Sequence, residues 1–288
     1  MGISQHIPWW VKIGAKIALA KAPVSYDLWR RIGIFRHGKM IDENYSRNVF
    51  NSHIKSIGKH TSIQPHSLLE IGPGDSVSTA IWARACAINS TILVDAGRFA
   101  TLDVTAYKGA LRLAGLEKHQ AARAPSLDQM LRELGTTYLC NGLIGLQSIP
   151  CGSIDAIFSN AVLEHVRRSE FEQTIRELFR IQRPGGVSSH QIDLRDHLGG
   201  GLNSLRISHR IWESTLFLQS GFYTNRLRCS EIRSICTDAG WEILDCTERK
   251  WDHLPTPRKV LHKEFLKFTD EELLVSGVRI VMQRPKSA

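Results

Sequence analysis

The stretch SLLEIGPGDS, residues 67–76, sets a short apolar run against an acid, Glu70, and follows it at once with Gly-Pro-Gly. An apolar run of this length, bounded by glycine, reads as a buried strand. A glycine-rich turn from strand to helix lets backbone N–H groups approach a ligand closely at the helix N-terminus.

Two classes of ligand use such a turn: dinucleotides and the adenosyl group of S-adenosylmethionine. The dinucleotide fingerprint G-x-G-x-x-G fails at its third glycine, where Val77 stands after Gly72 and Gly74, and no Gly-Lys-Ser/Thr follows to make a P-loop. Asp95 lies 21 residues beyond Gly74, at the end of a second apolar run, TILVDA, where a carboxylate can accept both hydroxyl protons of a ribose. Glu70 itself ends a strand at a place where burying an acid is costly without a purpose or a partner.

Outward from this turn, β-like and helix-like runs alternate, as a parallel sheet with helices on both faces requires. The reading predicts a helix over Ser76 to Ala87, a mostly helical stretch from Ala106 to Leu134, a weak strand near Tyr138 to Cys140 and a clear one in SIDAIFSN. An amphipathic helix follows, with Phe171, Ile175, Leu178, Phe179 and Ile181 apolar, Ser169 as N-cap and Glu172 three residues on. It should stop at Pro184 and Gly185 before the strand VSSHQIDL. Later come a helix capped by Ser230, the strand WEILDCTE, a helix starting at Thr269 and a last strand, VRIVMQRP.

Residues 149–186, IPCGSIDAIFSNAVLEHVRRSEFEQTIRELFRIQRPGG, closely resemble the class I S-adenosylmethionine-dependent methyltransferases. A turn, a D-x-x-x-S strand, L-E-H-V, a helix and R-P-G-G occur in that family's order and spacing. The resemblance implies an α/β fold, Rossmann-like, with a mostly parallel seven-stranded sheet and helices on both faces, an N-terminal helical arm and a lid insertion. It implies S-adenosylmethionine as cofactor, with Glu70, Gly72 and Gly74 shaping the methionine and ribose side of the pocket and Asp95 binding the ribose. Ser76 replaces the third glycine of E-x-G-x-G-x-G. The acid often found after the third strand is absent; Cys140, Asn141 and Gly142 stand there instead, and Asn141 is the adenine-side expectation among them. Ser159, Asn160 and the segment His190 to Asp193 end their strands toward the transferred methyl.

The basic leader PWWVKIGAKIALAKAPVSYDLWRRIGIFRHG, with HQIDLRDH and FYTNRLRCSEI, is similar to bacterial methyltransferases associated with surface-glycan synthesis. A methyltransferase acting on a sugar hydroxyl follows, with His190 as base, Asp193 as its orienter or alternate, and His197 in reserve. A quinone, a lipid or another small molecule is the competing acceptor, and a non-catalytic module with a decayed pocket is the competing role. The spacing of His190, Asp193 and His197 would permit a divalent metal, but it is no diagnostic pattern and no metal is expected. Arg206, His209, Arg210, Tyr223, Asn225, Arg226 and Arg228 would suit a phosphorylated or acidic sugar, or else a solvated cationic lid.

Four segments result: a basic helical arm at 1–60, the cofactor core at 61–195, the lid insertion at 196–228, and a C-terminal completion at 229–288 with a second insertion at 250–268. Of the net charge of +9, residues 1–40 hold +6. Trp10, Ile13 and Ile17 at helical spacing make an amphipathic helix there, which could pack on the core, on a second subunit or on an anionic membrane face. Lys12 and Lys16 argue against a signal peptide or a membrane span. Nucleic acid is disfavoured, since strand four carries no N-P-P-Y-type or cysteine-nucleophile motif. The six cysteines show no CxxC pair, which favours a reducing, cytoplasmic setting.

Overall fold

The computed structural model describes residues 39–286 and, ahead of them, Gly14 alone. The amphipathic helix and most of the basic arm expected before residue 39 lie outside the described residues. Helix α1 (Glu43–Gly58) opens the described chain, with the Asp42 carboxylate accepting from Tyr45 N.

Seven strands form one sheet in the order β3-β2-β1-β4-β5-β7-β6. Strands β1 (Ser67–Ile71), β2 (Ser90–Val94), β3 (Thr136–Leu139), β4 (Ile154–Asn160) and β5 (Gln182–Asp193) pair in parallel. Strand β7 (Val275–Gln283) runs antiparallel between β5 and β6 (Glu242–Lys250). Side chains alternate along each strand, so neighbours serve opposite cores. Leu68 packs with Phe50, Trp82, Tyr107 and Phe158 on one face, while Leu69 joins Ile157, Phe171, Leu178 and Trp241 on the other. Burial on both faces is why the strands read as apolar runs.

Helices α2 (Ser78–Ala85), α3 (Lys108–Leu113), α4 (Leu127–Glu133) and α5 (Gly142–Gln147) precede the long α6 (Arg168–Ile181). The stretch expected to be mostly helical from Ala106 to Leu134 is therefore broken into short pieces. Helix α6 buries Phe171, Thr174, Ile175, Leu178 and Ile181, one stripe at helical spacing.

Two expected caps are corrected. Ser169 does not cap α6, because the helix already includes Arg168, whose N–H donates to the Tyr223 hydroxyl at 3.2 Å. A side chain from 55 residues downstream replaces the local cap. Ser230 likewise falls inside α9 (Cys229–Asp238), since Glu231 accepts from Arg228 N at 3.1 Å and Glu272 from Ser230 N at 2.8 Å. Thr269 does cap the short α10 named below, accepting from Glu272 N.

Beyond β5 the chain turns around Asp196. Its carboxylate accepts N–H bonds from Leu198, Gly200, Gly201 and Asn203, which explains the glycine run at 199–201. Helices α7 (His209–Trp212) and α8 (Thr215–Leu218) follow, and α10 (Asp270–Leu273) precedes β7. Trp212, Phe217, Phe222 and Tyr223 make one small core, and Leu202 and Leu205 share another with Leu261, Phe265 and Phe268. The Arg226 guanidinium lies 5.0 Å from the ring centres of both Trp212 and Phe265, so the stretches 196–228 and 250–268 are packed into one appendage. Asp196→Ala strands the main-chain donors of this turn and should cost about 3 kcal/mol, read as a lower urea midpoint and as new proteolytic cleavage near residue 200; Asp196→Asn, which keeps an acceptor, should lose less.

Candidate active site

The carboxyl ends of β1, β2 and β4 converge on the glycine turn. Gly72 and Gly74 both adopt a φ of +68°, a left-handed conformation that glycine alone enters without strain. A Cβ at Gly72 would collide with the Val162 methyls, so the turn after β4 lies directly against the turn after β1. The Asp95 carboxylate fastens this corner, accepting from Gly74 N at 3.0 Å and from Ala96 N at 2.7 Å. Ser76 accepts from Ser78 N at 3.1 Å and steadies the start of α2, a job its hydroxyl can do where a third glycine could not. Exposed Asn141 begins the turn after β3, where Gly142 N donates to Asp95 O at 2.8 Å.

Glu70 is fully buried and its Oε2 has no partner. Burial pushes its carboxyl up to about 8, with Thr79 drawing it down and Asp95 adding to the rise. Burial also lifts Asp95 to about 6, against the pull of the Gly74 and Ala96 amides.

On the β4–β5 side, Asn160 is half-buried and Ala161 has a φ of 55°. His165 is exposed and its Nδ1–H donates to Tyr223 O at 3.0 Å. Its ring meets that of His197 edge to face at 4.9 Å. Asp193 holds a bidentate pair with Arg195, at 2.9 Å and 2.7 Å. Burial works to raise the Asp193 carboxyl, but the Arg195 side chain and amide together keep it below the usual carboxylate range.

Residues 69–189 match the family model described as a methyltransferase domain. The chain carries a class I S-adenosylmethionine-dependent methyltransferase domain. Similar solved structures include a chain of the Haloferax volcanii complex between the Trm112 methyltransferase activator and its methyltransferase, with 14% identity, 91% of this chain and 98% of that one covered, and a TM-score of 0.48. An S-adenosylmethionine-dependent methyltransferase from Methanosarcina mazei has 18% identity over 80% of this chain and 97% of that one, with a TM-score of 0.44. One from Mesorhizobium loti has 15% identity over 76% and 90%, with a TM-score of 0.43. No curated protein matches the chain in sequence.

The cofactor of the methyltransferase domain is S-adenosylmethionine, and the corner fits it. Two left-handed glycines open the backbone, an acid flanks them at the end of the neighbouring strand, and Glu70 keeps a buried oxygen without a partner beneath the turn.

The structure brings together Glu70, Gly72, Gly74 and Asp95, with Asn141 at the adjoining turn and Asn160 at the end of β4, but it turns two expected residues away. Ser159 is wholly buried, and its hydroxyl lies 2.8 Å from His190 Nδ1. His190 is equally enclosed, with Nε2 unpartnered, and burial pushes its imidazole down to about 3. The expectation that His190 faces the methyl and acts as base is corrected on these grounds. Asp193 cannot orient it, because residues three apart on a strand point to opposite faces. His190, Asp193 and His197 therefore form no trio, and among the described residues no group of three His, Cys, Asp or Glu side chains could hold a metal ion.

Two of the four arginines expected to grip an acidic sugar, Arg226 and Arg228, are reassigned. Arg226 donates to Ser204 O and Ile207 O, and Arg228 to Leu194 O and Val275 O, all from buried positions. Asn225 holds the methyltransferase turn after β4: its Nδ2 donates to Leu163 O and Val166 O, and its N–H to Glu164 O. Tyr223 is taken up by Arg168 N and Glu213. No local sequence signal announces the Asn225 clamp, which spans about sixty residues. Glu164 stands in the L-E-H-V motif, but its setting carries no local signal: both oxygens are buried without a partner, and burial lifts it to about 8.

These carboxyls give the cofactor-free protein a pH signature. A group whose pKa is higher folded than unfolded keeps its proton in the folded state after the unfolded chain has lost it, so stability falls as pH rises through that interval. Buried His53 and His190, both pushed down to about 3, act oppositely, and only below about pH 6.5. From about pH 6.5 to 8, then, Glu70 and Glu164 govern. Stability should fall by up to about 1.4 kcal/mol per pH unit for each. Glu70→Gln, which imitates the protonated acid, should remove about half of that fall in urea titrations at the two ends of the interval.

Proposed function

We propose that the methyltransferase acts on a hydroxyl of a sugar, on a surface glycan or its carrier-linked precursor. The observation that carries this reading is the polar character of the acceptor side. Asn160, His165, Asp193, Arg195 and His197 lie at the carboxyl ends of β4 and β5, where an open α/β sheet binds its ligands, and all are at least partly accessible. Hydrogen-bonding groups suit a hydroxylated acceptor better than a quinone ring or an acyl chain.

Gly72 and Gly74 would receive the cofactor along their main chain, Asp95 would take its ribose hydroxyls, Asn141 would stand on the adenine side, and Glu70 and Asn160 would border the methionine end. When bound, S-adenosylmethionine supplies a methyl already activated by a sulfonium. The protein's remaining tasks are to align the acceptor, exclude water and remove the hydroxyl proton. His165 is the base in this reading, since its Nδ1–H is committed to Tyr223 O and Nε2 is then the basic nitrogen.

Calorimetry with S-adenosylhomocysteine should show binding, and radiolabelled methyl should pass to sugar-bearing acceptors in a panel that also holds quinones and lipids. Transfer only to acceptors without a sugar would overturn the glycan reading. His165→Gln should lower kcat about a hundredfold while leaving S-adenosylhomocysteine affinity within about twofold. Full turnover in that variant would remove His165 as base.

Among the described residues no helix is long and apolar enough to cross a membrane. Contact of the basic leader with an anionic membrane face stays part of this proposal, as the place where a lipid-linked acceptor would be met.

A further inference from the structure

All six cysteines are free, but two are not solitary. Cys229 is the first residue of α9 and is buried; Cys246 sits in mid-β6, half-buried. Their sulfurs are 3.9 Å apart, and Cys229 Sγ also lies 3.5 Å from Glu248 Oε1. The pair therefore shares one face of β6 beneath the N-terminus of α9.

We propose that Cys229 and Cys246 are a dithiol modification site, which a peroxide converts into a disulfide joining the start of α9 to β6. Cys246 is the attacking member, being the more accessible. The Cys229 thiol, helped by Arg233 and opposed by burial, holds Cys246 below an ordinary thiol, whereas Cys229 is raised, first by its bond to Cys246 and then by burial. The Cys246 thiolate attacks one peroxide oxygen, the O–O bond breaks, hydroxide leaves and a sulfenic acid remains. The Cys229 sulfur then attacks that sulfur, the S–O bond breaks, and the oxygen departs as water with the Cys229 proton. Both thiols are thereby oxidised to one disulfide and the peroxide is reduced to water. The sulfurs must close by about 2 Å to reach the S–S bond length.

The bond would act where the appendage rejoins the sheet. Arg228, immediately before Cys229, is the residue that ties β5, α9 and the start of β7 together. A cross-link there fastens the trailing end of residues 196–228 to the edge strand.

The test is to treat the full chain with hydrogen peroxide, block free thiols with an alkylating agent after denaturation, and map the peptides by mass spectrometry. A Cys229–Cys246 disulfide should form, should be reversed by dithiothreitol, should persist in Cys236→Ser and should vanish in Cys246→Ser. Oxidation of the exposed Cys86 and Cys151 while Cys229 and Cys246 remain fully alkylatable would overturn the proposal. So would a cross-link from Cys229 to Cys236 that survives in Cys246→Ser.

Discussion

Asp95→Ala should weaken S-adenosylhomocysteine binding by about a thousandfold. A carboxylate meeting both hydroxyls of a ribose makes two charge-assisted hydrogen bonds, together worth about 4 kcal/mol. The same side chain braces the turn it serves, through Gly74 N and Ala96 N, so its removal also frees the backbone that would meet the ligand. Asp95→Asn keeps one acceptor oxygen and should fall between, at about tenfold. Calorimetry separates binding from folding if melting is followed in parallel. Unchanged affinity in Asp95→Ala would show that the ribose is held elsewhere.

Arg228→Met should lower the folding free energy by about 4 kcal/mol, and melting by about 10 °C. The guanidinium is buried and donates to the carbonyls of Leu194, Glu272, Leu273 and Val275, so one side chain satisfies the end of β5 and the approach to β7. Burial pushes it down to about 10, still well above neutrality, so the charge persists. Methionine fills the stem's volume but leaves those carbonyls without a donor. Arg228→Lys retains charge without the planar fork and should recover only part of the loss. A melting temperature within about 2 °C of wild type in Arg228→Met would mean that water replaces the guanidinium at little cost.

What could be read from residue order alone follows from how local each signal is. The Glu70, Gly72 and Gly74 turn, the stripe of α6 and the order of the strands are short-range patterns found where they were expected, whereas β5 begins at Gln182 and takes in the Pro184 and Gly185 expected to precede it. The caps of α6 and α9 were misplaced because distant groups, Tyr223 and Glu272, accept from Arg168 N and Ser230 N, so each helix begins one residue before the serine expected to cap it. His190 was placed at the right strand end but on the wrong side of it. Only the pairing of Ser159 with His190 across β4 and β5 reveals that both side chains share a closed face. Arginines in a polar, aromatic stretch look alike whether they await a ligand or anchor carbonyls; burial separates the two, and burial is not a local property.

The stacking of Arg226 between Trp212 and Phe265 bears on how this appendage could be transplanted. A designer moving it to another scaffold would reach first for residues 196–228 as a cassette. Grafted alone, the donor loop would arrive without the ring from 250–268 that closes over its arginine. The unit of exchange is thus discontinuous in sequence, and a successful chimera must cut the chain in four places rather than two.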